Sequence, residues 1–310
     1  MNAVDRKFFT LIKEIQSLSE EEILAGILDA YGKVPAVTRA NCERFFNEYG
    51  FWGQLSPADG VYEEIELKAA ALHGNSDKFA ALYGRLADYR SKAVLYAVLS
   101  NWYRYDFRST AESREYLFDD YFDADLLRCT PEEVVVNLGA YVGDTVLSYL
   151  VNYGKTCYKK IYCYEITPDI FRIMQNNLAE FPNIDMRLKG VGDKKGVMKI
   201  AHCAASISAN SLTEPDGDAD GVEVTTLDED INEQISLIIA DIEGAERKAL
   251  AGAAEHIKND RPKLLISVYH NNEDIWKIPE TIDGIRNDYS FYLRYKGSTV
   301  YPTEITLFAL

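Results

Sequence analysis

The apolar positions change period once along the chain. Over roughly the first 128 residues they recur with the 3.6-residue spacing of helices. Phe8, Leu11, Ile12 and Ile15 share one face, and a Ser19-Glu-Glu-Glu22 capping box precedes Ile23, Leu24, Ile27 and Leu28. Gly32 is expected to close that second helix. Further helices are expected near 39–49, 61–72 and 78–105, the last broken around 88–91. Nothing here reads as a strand. Trp52, Trp102, Tyr103, Tyr105 and Phe107 could line a sugar platform, but aromatic residues at helical spacing read mostly as core.

From Glu133 onward, short β-branched runs alternate with helical segments, the pattern of a mostly parallel sheet. Strands are expected at 133–138, 160–164, 184–190, 235–240 and 263–268. Between the third and fourth, 197–202 and 222–226 read as a pair. They enclose the polar run Ser206–Ser211 and a Glu/Pro/Asp/Gly loop of mobile composition. A helix is expected over 279–286. Strands at 290–295 and 303–309 then follow one another with no helix between, so they must be antiparallel neighbours. The aspartate-rich stretch 117–127 marks the change of pattern, which divides the chain into a helical region, 1–128, and an α/β domain, 129–310.

The candidate chemistry sits at the carboxyl ends of these strands. Val134, Val135, Val136 and Leu138 run into Gly139-Ala-Tyr-Val-Gly143, and the amphipathic Val146, Leu147, Leu150, Val151 segment follows. Strand, glycine turn and helix in this order make a ligand cradle, because glycine lets the backbone approach a bound molecule and the helix start offers unpaired N–H groups. Glu165 ends the next strand, ahead of Thr167 as N-cap and Pro168 as first helical residue. An acid at that place in an open α/β sheet can accept both ribose hydroxyl protons of a cofactor. Asp241 ends the fourth strand within Asp241-Ile-Glu-Gly-Ala-Glu246, where Glu243 and Glu246 suit the first turn of the following helix. His270 lies just beyond the fifth strand, unlike His73, His202 and His256, which read as surface or packing residues.

Composition narrows the partners. A length of 310 residues suits two domains, and a formal charge of −16 sets a repulsive field against DNA, RNA and anionic membranes. Neutral or cationic small substrates fit better. The five cysteines form no Cys-x-x-Cys pair and have no metal-ligand spacing, so they read as the reduced thiols of a cytoplasmic protein. No signal-like N-terminal run occurs, and no apolar stretch of about twenty residues could span a bilayer.

Taken in order, these residues resemble the FkbM family of S-adenosylmethionine-dependent methyltransferases from roughly Tyr121 to Leu310. The matching segments are Val136-Asn-Leu-Gly-Ala-Tyr-Val-Gly-Asp-Thr145, Tyr164-Glu165 with Pro168, Val224-Thr-Thr-Leu-Asp228, Asp241-Ile-Glu-Gly-Ala-Glu246, Pro262-Lys263 through Ser267-Val-Tyr-His270, and Ile278-Pro279 with Tyr292-Leu-Arg294. The resemblance implies a class I methyltransferase, a Rossmann-like seven-stranded α/β sheet with an antiparallel last strand, here preceded by an all-helical N-terminal region. It implies S-adenosyl-L-methionine as cofactor and transfer to a hydroxyl of a sugar or related small molecule. The implied cofactor-binding residues are Asn137, Gly139, Ala140, Tyr141, Gly143, Asp144, Thr145, Glu165, Gly192, Asp193 and Asp241. His270 is expected as general base, with Asp241 positioning it or the acceptor hydroxyl. Asn137 departs from the family, which usually carries aspartate there; the amide keeps an acceptor oxygen and loses the charge.

Two other readings stand beside this one. A nicotinamide-dependent oxidoreductase or epimerase would also place a glycine turn before an acid, yet Gly139 and Gly143 give Gly-x-x-x-Gly rather than Gly-x-Gly-x-x-Gly. A non-catalytic binding protein on a decayed methyltransferase fold is motivated by Asn137 and opposed by the retained Glu165, Asp241 and His270. A metal-assisted variant stays open below the metal-free mechanism: Asp241, Glu243 and His270 offer ligand atoms, but no second cluster with convincing spacing accompanies them. The helical region is left open between substrate choice and homodimer formation.

Overall fold

Every β-branched run with a glycine or acid at its carboxyl end becomes a strand. The computed structural model describes residues 1–119, 121–214 and 221–310; most of the Glu/Pro/Asp/Gly loop expected to be mobile lies outside them. Strands β1 (Val134–Leu138), β2 (Lys160–Glu165) and β3 (Ile184–Leu188) alternate with helices α8 (Asp144–Tyr153) and α9 (Pro168–Leu178). After the excursion come β8 (Leu237–Ala240), α11 (Glu246–Ala251), α12 (Ala254–Asp260), β9 (Lys263–Ser267), α13 (Asp274–Ile285), β10 (Phe291–Tyr295) and β11 (Ile305–Ala309). Seven strands form one sheet in the order β10-β11-β9-β8-β1-β2-β3. Strands β3, β2, β1, β8 and β9 are parallel, with Asn137 level with Cys163 on one side and Ile239 on the other. The last strand is the antiparallel one, and the Lys296 N–H donates to the Glu304 carbonyl at 3.0 Å across the mouth of the β10–β11 connection. Strand β1 is buried at all five positions, as a strand covered on both faces must be.

The excursion forms a second sheet, β4-β7-β5-β6, from Gly190–Val191, Gly196–Ala201, Ser211–Thr213 and Val222–Thr225. β5 and β7 are antiparallel, Val197 facing Glu223 and Met198 facing Val222. The third strand stops at Leu188 rather than Gly190, because Gly190 and Val191 leave β3 to pair with Val224 and Thr225 of this sheet.

The chain groups into two units, residues 1–115, 268–279 and 290–307 in the first and 116–267, 280–289 and 308–310 in the second. The first holds helices α1 (Ala3–Gln16), α2 (Glu20–Lys33), α3 (Ala36–Tyr49), α4 (Glu63–Gly74), α5 (Ser76–Arg85), α6 (Tyr89–Arg104) and α7 (Phe107–Ser113). The Ser19 capping box is formed. Gly32 does not close α2, which runs on to Lys33. Val34, held extended at ψ 137° by the following Pro35, closes it instead, and α3 starts directly after that proline. The expected break in the long helix falls at 86–88, where the Asp88 carboxylate caps the Ser91 amide at 2.7 Å and pairs with Arg294 at 2.8 Å. Helix α13 begins five residues before Pro279, which therefore lies inside it. An Asn271 turn supplies the start: its Oδ1 accepts from Glu273 N–H at 3.1 Å and its amide donates to Asp274 at 2.6 Å. Among the described residues, no helix is long and apolar enough to cross a membrane.

The first unit carries a buried charge pair. Glu64 is fully buried and its partner Lys68 nearly so, one turn on along α4, with the Lys68 ammonium 5.1 Å from the Phe46 ring centre and 5.3 Å from that of Tyr105. Burial pushes the Glu64 carboxyl above the usual range and Lys68 opposes it. Lys68→Met is expected to cost about 3–5 kcal/mol by stranding this carboxylate. The folded variant would then hold a proton that the unfolded chain releases, so its deficit should grow as pH rises from 5 to 8. Thermal unfolding of parent, Lys68→Met and Glu64→Gln/Lys68→Met across that range checks this; an equal deficit at every pH would remove Glu64 as its cause.

Candidate active site

Gly139 determines the geometry at the carboxyl end of β1. Its φ is +76°, and a Cβ placed there would stand 2.0 Å from the Asp241 carbonyl oxygen, so any side chain would push apart the ends of β1 and β8. The turn that follows is closed by its own amides. Gly139 and Ala140 N–H donate to the Tyr164 carbonyl at 3.1 and 2.9 Å, Gly143 N–H donates to the Ala140 carbonyl at 2.8 Å, and Tyr141 N–H donates to Glu165 Oε2 at 3.0 Å. The Asn177 amide holds the Val142 carbonyl at 2.8 Å.

Glu165 is 7% exposed at the end of β2. Its Oε1 accepts the Thr167 N–H at 2.7 Å, so the carboxylate is fixed between two backbone donors. Burial pushes its carboxyl above the ordinary range, against the lowering effect of the Thr167, Ile166 and Tyr141 amides. Thr167 and Pro168 occupy the N-cap and first helical positions of α9. The Thr167 hydroxyl caps nothing and instead accepts from the Asn210 amide at 3.3 Å.

These groups line a cavity at the carboxyl ends of β1, β2 and β8. Gly139, Tyr141, Glu165 and Asp241 are in its wall. Asn137, Ala140, Gly143, Asp144 and Thr145 are not: Asn137 is buried within β1, where its side-chain amide nitrogen has no hydrogen-bond partner among the described residues, and Gly143 is the N-cap of α8. Gly192 and Asp193 line an adjoining recess of about 360 Å³, which shares Val191, Leu212, Glu243 and Ala245 with the first cavity. Glu243 is not in a helical turn as expected. It sits before α11 at φ +56°, while Glu246 opens that helix and accepts the Ile242 N–H at 2.9 Å. His270 belongs to the first unit, three residues beyond β9 and 2% exposed, with its ring 5.8 Å from that of Phe51. His256 has a packing role, bridging Asp260 at 2.6 Å and the Ile231 carbonyl at 3.1 Å.

Sequence reasoning missed Lys189 and Tyr121. Lys189 is in the cavity wall, together with Ile207, Ser208 and Asn210 of the polar run, whose serines and asparagine offer hydrogen bonds to a polar substrate as readily as they make a solvated turn. Tyr121 donates its hydroxyl to Asp241 Oδ2 at 2.6 Å, a pairing across 120 residues that nothing local announces. In the cavity wall the carboxylates of Glu165, Asp241 and Glu243 outnumber one ammonium, Lys189, which is paired with Glu223 at 3.0 Å.

A family model of the methyltransferase FkbM domain matches residues 137–297, more than half of the chain. The chain belongs to the FkbM methyltransferase family. Its fold is similar to that of the FkbM methyltransferase of Methylobacillus flagellatus KT, with a TM-score of 0.68 and 24% identity over 88% of this chain and 70% of that one. Among curated proteins, the ribosomal RNA small subunit methyltransferase A of Thermotoga maritima is 33% identical over 81 residues, 26% of this chain. The match spans only 27% of that relative. FkbM membership places the matched segment from Asn137 in β1 to just past β10, so the glycine turn, Glu165, Asp241 and His270 all fall inside it.

Gly154 separates the two demands made on Gly139. Its φ is +97° and a Cβ there would meet nothing within 4 Å. Gly154→Ala should therefore cost only backbone strain, about 1–3 kcal/mol. Gly139→Ala should cost roughly 1–3 kcal/mol more, from overpacking against Asp241. Denaturant unfolding of the two variants measures the difference, and equal costs would show that the close approach to β8 contributes nothing.

Proposed function

We propose that this protein is an S-adenosyl-L-methionine-dependent O-methyltransferase whose acceptor is a hydroxyl of a saccharide or related small molecule. The observation that carries the cofactor reading is the closed turn. A dinucleotide fold needs its glycine-turn amides for a diphosphate, whereas here Gly139, Ala140, Tyr141 and Gly143 spend theirs on Tyr164, Glu165 and Ala140. The acid that follows is held by backbone amides at the end of β2, facing the cavity. That combination suits an adenosine without phosphates, its ribose diol on Glu165. The carboxylate-rich wall favours a cationic ligand, which a sulfonium supplies.

In this reading the enzyme aligns an acceptor oxygen behind the sulfonium methyl. The carbon–oxygen bond forms as the sulfur–carbon bond breaks, and the acceptor proton passes to a base; alignment supplies much of the rate. His270 is the candidate base by its place after β9 and by imidazole chemistry near neutral pH.

Four measurements test these assignments. Calorimetry should detect S-adenosylhomocysteine and no nicotinamide dinucleotide; the reverse result would overturn the cofactor. Glu165→Ala should weaken S-adenosylhomocysteine at least about tenfold, since each charge-assisted bond to a ribose hydroxyl is worth about 1.5–3 kcal/mol. Because burial raises the Glu165 carboxyl, protonation on lowering the pH from 7 towards 5 should weaken binding by the parent and leave Glu165→Gln unchanged. Parallel profiles would exclude Glu165 from the ribose. On any accepted substrate, His270→Ala should lower turnover about 10²–10⁴-fold with cofactor affinity retained; full turnover would leave the histidine structural.

A further inference from the structure

The strained segment before β1 ends on a carboxylate of the cavity wall. Tyr121 has φ +61°, a conformation that costs a non-glycine residue free energy and persists only where its surroundings enforce it. The enforcement is visible in the residues that follow it. Phe122 is fully buried, with ring centres 5.8 Å from Tyr149 and 5.9 Å from Tyr153 of α8. The Asp123 carboxylate accepts the Asp125 N–H at 2.9 Å, and the Asp123 carbonyl accepts from Leu126 and Leu127 at 3.0 and 2.8 Å. This backbone points the Tyr121 hydroxyl at the ends of two neighbouring strands, 2.6 Å from Asp241 Oδ2 after β8 and 3.3 Å from Ser267 Oγ at the end of β9.

A phenol has one proton, and Tyr121 donates it to Asp241 Oδ2 at 2.6 Å. The phenolic oxygen can then only accept from Ser267, so the chain Ser267 to Tyr121 to Asp241 directs every proton towards the carboxylate. Asp241 is half-buried and lines the same cavity as Glu165, which lies on β2, while β1 between them supplies the glycine turn. A cofactor with its ribose on Glu165 and its body crossing β1 would bring its cationic methionyl end to Asp241.

We propose that Tyr121 is a positioning residue that fixes the Asp241 carboxylate in the orientation that meets the cationic end of the cofactor. This rests on the cofactor reading above. Tyr121 is not in the cavity wall, so the proposed effect runs through Asp241, which sets the form of the test.

The test is a double-mutant cycle of Tyr121→Phe and Asp241→Asn in the full chain, read by calorimetric titration with S-adenosylmethionine, with circular dichroism confirming that each variant is folded. Tyr121→Phe should weaken binding about tenfold in the parent and cause no further loss once Asp241 is asparagine. Ser267→Ala, one step further out, should cause a smaller loss that also disappears in the Asp241→Asn background. Unchanged affinity in Tyr121→Phe, or the same loss in both backgrounds, would overturn the proposal. If the parent bound no S-adenosylmethionine, the cofactor reading itself would fall; if the parent bound it and Tyr121→Phe bound it as well, only the role of Tyr121 would.

Discussion

The second unit is organised by one steric fact: the backbone of β1 and the backbone of β8 meet at the rim of the sheet with no room for a side chain between them. Gly139 Cα lies against the Asp241 carbonyl, and that contact sets how far apart the two strand ends can be. The turn that departs from Gly139 must therefore curl towards β2, where the Tyr164 carbonyl collects two of its amides and Glu165 a third. The same contact holds Asp241 at the cavity rim. One close approach thus locates the buried Glu165 on one side and a second acid, Asp241, on the other, which explains why the site reads as a unit although its residues are spread over three strands.

What could be read from the sequence is what short-range physics controls. Gly139 and Gly143 fall between an apolar β-branched run and an amphipathic helix, and Glu165 and Asp241 stand directly at strand ends, so each is locatable from its neighbours. The order of runs and helices likewise fixes a mostly parallel sheet with a terminal pair. The misplaced boundaries have local causes that were underweighted: Pro35 extends Val34 and so outcompetes Gly32 as a helix terminator, and the Asn271 turn starts α13 strongly enough for the helix to run through Pro279. Partners far apart in sequence were not legible. Lys68 looks like a solvent-facing helix cation until Phe46 and Tyr105 close over it, and Tyr121 looks like one aromatic among many until it is found on Asp241. Asn137 was conspicuous as a departure from the family, but only the structure shows its amide nitrogen buried inside β1, away from the cavity wall.

Three of the seven non-glycine residues with positive φ among the described residues border the site: Tyr141 and Glu243 line the cavity and Tyr121 bonds to a residue that does. Strain at one turn is unremarkable, but three instances converging on one rim indicate a surface held in place by the surrounding fold rather than shaped by its ligand.

The carboxylates of that rim have a consequence for the order of events during turnover. Asp241 and Glu243 have carboxylate oxygens within 4.8 Å of one another, inside the roughly 8 Å screening length of physiological salt, and share the cavity wall with Glu165, so an approaching ligand meets a negative field. In the proposed reaction the arriving sulfonium cofactor carries a net positive charge into that field and the spent cofactor is a neutral zwitterion, so a wall that draws in the first has less hold on the second. Dilute buffer would exaggerate this asymmetry and high ionic strength would erase it, so exchange of fresh for spent cofactor is tied to the salt around the protein as well as to the shape of the cavity.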